Sequence, residues 1–107
     1  MNNGMETLEY ELRGSRQRTA FEPVLVGVVA SGNLEVLIEP GEPGLCLFQI
    51  ETSARGFGAI WQAVIQDFHE RHDLAGVIVS ILDMGATPAV VSLRLEQAAS
   101  TLAGDRR

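Results

Sequence analysis

Lysine is absent from this chain of 107 residues, so all eight of its basic side chains are arginines. Fourteen acidic residues outnumber them and set the net charge at −6. That balance excludes a nucleic-acid binder, which needs a basic face to displace counterions from phosphates. It suits solubility and docking to basic protein partners. Cys46 is the single cysteine, which excludes an internal disulfide and a multi-cysteine metal site and fits a reducing, cytoplasmic compartment. No apolar run approaches the ~20 residues that span a bilayer, and no signal-peptide pattern opens the chain. No membrane contact is expected.

What is present reads as one domain with one modest core, since 46% of the residues are hydrophobic and the chain is short. Residues 1–4 are polar and read as an extension outside the fold, with the domain over 5–104. Glu6 to Leu12 alternates strictly, with Leu8, Tyr10 and Leu12 on one face, and predicts a half-buried strand. Arg13 to Thr19 reads as a loop. Val24 to Ala30 is nearly all apolar and predicts a central strand covered on both faces, with Gly27 marking a bulge or close approach. Ser31-Gly32-Asn33 then turns into a return strand, Leu34 to Glu39. Pro40 to Gly44 is a turn segment, and Leu45 to Thr52 a further strand with Cys46, Phe48 and Ile50 inward.

The period then changes. Phe57, Ile60, Trp61, Val64, Ile65 and Phe68 form one helical stripe, ending near His72. Gly76 to Leu82 is a β-rich buried strand. A last helix follows, with Thr87 as N-cap, Pro88 at its first position, and Val91, Leu95, Ala98 and Leu102 inward. The order predicts an α+β fold: a two-layer sandwich of about five strands, mostly antiparallel or mixed, with two helices on one face. The last strand lies between helices and is expected to pair parallel through a crossover.

Candidate chemistry is sparse. Ser31 is a small hydroxyl at a turn, with Gly32 removing a side chain beside it. The same residues are ordinary hairpin chemistry, and no base lies nearby to activate a nucleophile. His69 and His72 at i, i+3 suggest two metal ligands without a third, or dipole-complementing residues at a helix C-terminus. Cys46 sits among core positions as a structural thiol. Asp83 opens a strand-to-helix turn able to receive an anion or to cap. Arg13, Arg16 and Arg18 form a solvated loop or a phosphate clamp. Spacing supports no catalytic carboxylate pair, phosphate loop or Ser/His/Asp set.

Two blocks, Leu25 to Pro40 around Ser31-Gly32-Asn33-Leu34-Glu35-Val36, and Asp83 to Gln97 with Gly85-Ala86-Thr87-Pro88-Ala89-Val90-Val91, carry a family resemblance. With them the chain resembles the acyl carrier protein (delta subunit) of malonate decarboxylase. The resemblance implies a covalent 2'-(5''-phosphoribosyl)-3'-dephospho-coenzyme A on Ser31, flanked by Gly32, whose thiol holds acetyl and malonyl. It implies a non-catalytic carrier served by a prosthetic-group transferase, a malonyl transferase, and the acyl transferase and decarboxylase subunits of one complex. A citrate-lyase-type carrier and a small ligand-binding or regulatory module without a covalent group are the competing readings.

Overall fold

The structure, a computed structural model, describes residues 4–18, 20–27 and 33–104. Its main sheet is built from β1 (Glu6–Arg13), β3 (Val24–Val26), β4 (Leu34–Pro40), β5 (Leu45–Thr52) and β7 (Val77–Asp83). Helix α1 (Gly58–His72) precedes β6 (Leu74–Ala75), and helix α2 (Pro88–Gly104) closes the described chain. The strands lie in the order β1-β5-β7-β4-β3. All neighbours are antiparallel except β5 and β7, which run parallel across the α1 crossover. The two-layer α+β expectation is borne out.

Alternation explains the layers. Cys46, Phe48 and Ile50 on β5, Val77, Val79 and Ile81 on β7, and Leu34, Val36 and Ile38 on β4 are all buried. They meet Trp61, Ile65 and Phe68 of α1 and Val91, Leu95, Ala98 and Leu102 of α2 in one cluster. Phe48 and Phe68 meet edge to face, with centroids 6.2 Å apart. Burying each such side chain contributes roughly 1.5–3 kcal/mol.

Three local expectations need correction. The expected Val24–Ala30 strand is described as far as Gly27, residues 28–30 lying outside the described residues, and that part is not central: β3 lies at the sheet edge, and Leu25 on its outer face is 60% exposed. Only α2 covers it, from one side. The α1 stripe also divides. Trp61, Ile65 and Phe68 are buried, whereas Phe57, just before the helix, and Ile60 are 46% and 47% exposed, lining an open groove shared with Ala86, Pro88 and Val91.

The Arg13–Thr19 loop, finally, contains a strand. In β2 (Arg16–Gln17), Arg16 and Gln17 pair parallel with Leu74 and Ala75 of β6. The close approach depends on Gly76 (φ +75), where an added Cβ would fall 2.6 Å from the Arg18 carbonyl. Just before β6, Asp73 ends α1 in the left-handed region at φ 50, its N–H bonded to the His69 carbonyl. Hydrogen bonds from the Ser15 N–H (3.1 Å) and hydroxyl hold its carboxylate there. No helix among the described residues is long and apolar enough to cross a membrane.

Candidate functional site

The sheet has two ends with different chemistry. At one end lie Leu34, Thr52 and Asp83, which are register partners across β4, β7 and β5. Both helices start there, at Gly58 and Pro88. The connection between β3 and β4 leaves from the same end: β3 stops at Val26, opposite Val36, and Gly27 turns the chain out at φ +86. Ser31 and Gly32 belong to that connection and lie outside the described residues. Ser31 is four residues past Gly27 and two before Asn33 in the sequence. Covalent connectivity alone therefore attaches it to this end of the sheet.

The walls on either side of the connection are well defined. The Asn33 carbonyl accepts a hydrogen bond from the Met84 N–H at 2.9 Å, fastening the start of β4 to the turn after β7. That turn is organised by Asp83, only 3% exposed. One of its carboxylate oxygens accepts from the Thr52 hydroxyl at 2.7 Å, the other from the N–H groups of Gly85 (3.2 Å) and Ala86 (2.8 Å). The anion-receiving possibility at this turn is thus already filled by Asp83 itself. Thr87 caps α2, accepting from the Val90 N–H at 3.3 Å, as its position before Pro88 predicted.

At Gly27 the Arg94 side chain of α2 comes close. An added Cβ there would sit 2.4 Å from the Leu34 carbonyl oxygen, 3.2 Å from Arg94 Nε and 3.3 Å from Arg94 Cδ. The Arg94 side chain is only partly buried and donates to Gln97 Oε1 at 3.1 Å. Its Nε is buried and has no hydrogen-bond partner among the described residues. A cationic donor thus stands unsatisfied beside the connection that carries Ser31. Sequence reading missed Arg94, because one arginine on an amphipathic helix has no distinguishing pattern; only the approach of α2 to Gly27 singles it out.

The other candidates lie elsewhere or do other work. Arg16 and Arg18 are at the opposite end, beside Leu74 and Ala75. There the Arg18 guanidinium donates to the Leu102 carbonyl at 2.6 Å, satisfying the last turn of α2. That placement sets them apart from the end where the Ser31 connection leaves: β7 alone, seven residues long, separates the ends by roughly 20 Å. His69 Nε2 donates to the Arg13 carbonyl at 2.6 Å, and His72 pairs with Glu96 at 3.0 Å while lying against the Phe68 ring. No cluster of three metal-ligating side chains occurs among the described residues. Cys46 is wholly buried, and burial pushes its thiol pKa up to about 12.

Comparison with known proteins decides the family. A sequence profile of the malonate decarboxylase delta subunit (MdcD) matches residues 22–102. The chain belongs to the malonate decarboxylase delta subunit family. Malonate decarboxylase acyl carrier proteins resemble it throughout: that of Burkholderia cepacia is 67% identical, covering 94% of this chain and 93% of its own length. That of Xanthomonas euvesicatoria pv. vesicatoria (strain 85-10) is 62% identical over 94% of this chain and 97% of its own. Among solved structures, a chain in the crystal structure of a Pseudomonas malonate decarboxylase hetero-tetramer in complex with malonate superposes with a TM-score of 0.82. It is 39% identical and covers 91% of this chain and 98% of itself. The expected acyl carrier of malonate decarboxylase is borne out, and within the delta subunit family the citrate-lyase alternative falls away.

Proposed function

We propose that Ser31 is the attachment point of 2'-(5''-phosphoribosyl)-3'-dephospho-coenzyme A, and that this chain is a non-catalytic carrier. The observation that carries the reading is the family match across residues 22–102, which runs through Ser31. When bound, the group would supply the thiol on which acetyl and malonyl are held during conversion of malonate to acetate and carbon dioxide.

The residues at hand fit such a group. Joining it to Ser31 places a phosphodiester monoanion at the connection, beside the one buried arginine nitrogen that lacks an acceptor. A guanidinium donates well to phosphate oxygens. Gly32, next to Ser31 in the sequence, has no side chain to add bulk there. Hydrogen bonds of Thr52, Asp83 and Asn33 tie together the walls beside the connection. The buried thiol of Cys46 cannot compete as an acyl acceptor. The proposed partners are the acyl transferase and decarboxylase subunits of the complex, a malonyl transferase and the prosthetic-group transferase, in the cytoplasm.

Intact mass spectrometry of the chain purified from its native host tests this. The expected result is a mass increment equal to the esterified prosthetic group, localised to Ser31 and lost in Ser31→Ala. An unmodified Ser31 in an active complex overturns it.

A further inference from the structure

Both helices pack on the same side of the main sheet, which leaves its other face without a covering layer. The sheet is mixed, with one parallel pair among antiparallel ones, and such a sheet can leave one face open. On the open face the central strands carry Leu37, Leu47, Ile78 and Leu82, and the edge strand carries Leu25. A depression of about 330 Å³ runs between Leu37, Gln49, Ser80 and Leu82.

Charge frames this apolar strip. Following the register across the sheet, Leu47 and Ile78 stand between Glu11 on β1 and Glu39 on β4. Leu82 stands between Glu51 on β5 and Glu35 on β4. Glu9 adds a fifth carboxylate beside Gln49. Arg13, at the last position of β1, is the single base on this face among the described residues. The strip therefore carries leucine and isoleucine, interrupted by Gln49 and Ser80, along its middle and carboxylates along both flanks.

We propose that this open sheet face docks a second, different subunit of the assembly, through a patch with an apolar centre and an arginine- or lysine-rich rim. The carboxylate flanks choose the occupant. Two copies of this chain laid face to face would bring glutamates against glutamates, whereas a cationic rim would be steered in and held. The inference uses no property of the group on Ser31, so it stands or falls separately from what Ser31 carries.

The test compares two triple variants with the same charge change, each assayed for assembly with the remaining subunits of the complex. Glu9→Lys/Glu11→Lys/Glu51→Lys reverses the open face. Glu22→Lys/Glu42→Lys/Glu70→Lys reverses exposed sites elsewhere. At near-physiological salt the first is expected to weaken assembly about tenfold or more, and the second less than about twofold. Thermal melts of the isolated chains confirm that both variants fold. Independently of any variant, carbodiimide labelling of Glu11, Glu35 and Glu51 in the wild-type chain should drop several-fold on assembly. Equal weakening by both triples, or labelling unchanged on assembly, overturns the proposal. Self-association of the isolated chain that only the open-face triple abolishes also overturns it, in favour of a second copy as occupant.

Discussion

Thr52 and Asp83 face one another across the parallel β5–β7 pair, both buried, with the Thr52 hydroxyl donating to Asp83 Oδ2 at 2.7 Å. The Thr52 Oγ1 also accepts from the Ala54 N–H at 3.0 Å, so one hydroxyl serves the ends of two connections. Replacing it with an isosteric methyl strands a carboxylate oxygen away from water. Thr52→Val is expected to cost about 1–3 kcal/mol, read as a lower urea midpoint with an unchanged slope. Thr52→Ser should recover most of the loss. A neutral Thr52→Val would show that the hydroxyl is dispensable.

Gly27 is constrained twice, by its positive φ of 86 and by the Leu34 carbonyl 2.4 Å from where a Cβ would stand. Gly27→Ala is therefore expected to destabilise the fold by about 1–3 kcal/mol, visible as a lower melting temperature of the unloaded chain. A melting temperature unchanged by the substitution would remove the argument that β3 must leave the sheet at this residue.

Arg94 behaves differently if its free Nε awaits a phosphate. Removing an unsatisfied buried donor does not weaken the unloaded chain, so Arg94→Met should melt at the same temperature as wild type or slightly higher. In the loaded chain the phosphodiester ³¹P resonance should shift, and loading by the transferase should slow by about tenfold. A purely structural arginine would give the reverse: a lower melting temperature and an unmoved resonance.

The Cys46 thiol offers a count of working thiols. Burial holds it protonated up to about pH 12 in the folded chain. At pH 8 a thiol reagent should find no reactive group in the unloaded native protein, one in the loaded protein, and none in Ser31→Ala. Denaturant should add one more in every case. The folded form gains from this raised pKa below the ordinary thiol value near 8.5. That gain erodes as pH rises toward the folded value.

On the acid side the sign is opposite. Hydrogen bonds from the Ser15 hydroxyl and N–H lower the Asp73 pKa. Burial raises that of Glu96, but hydrogen bonds from Arg71 and His72 outweigh it and leave the net value lowered. A depressed folded-state carboxylate stabilises above its ordinary pKa, near 4, and that contribution is lost as pH falls through the lowered value. Stability should therefore drop as pH falls below about 4. Ser15→Ala should flatten part of that drop, measured by urea titrations at stepped pH. An acid limb identical to wild type would show that Ser15 does not set the Asp73 ionisation.

The elements legible from pattern are those whose burial is one-sided and long. The Leu45–Thr52 strand appears with its expected bounds and inward residues. The last helix starts at Pro88 behind Thr87, because its cap and first turn are local chemistry. The β2–β6 pair was not legible: Arg16 and Gln17 are exposed polar residues, and their pairing with Leu74 and Ala75 depends on tertiary proximity. Nor could pattern tell an edge strand from a central one at Val24–Val26, since a short apolar run fits either. The proposal for Ser31 rests on its family block, whereas Arg94 stands out only through its approach to Gly27.

The strand order has a consequence for how the carrier comes into being. Strand β7 lies at the centre of the sheet, between β5 and β4, yet it is the last strand to be synthesised. Until residues 77–83 are available, a growing chain has only the β1–β5 and β3–β4 pairs, with nothing to join them. Insertion of β7 and docking of α2 thus complete the sheet, through contacts distant in sequence. The Ser31 connection gains its walls, Asp83, Met84 and Arg94, only then. An enzyme that recognises Ser31 between those walls would need β7 and α2 already in place.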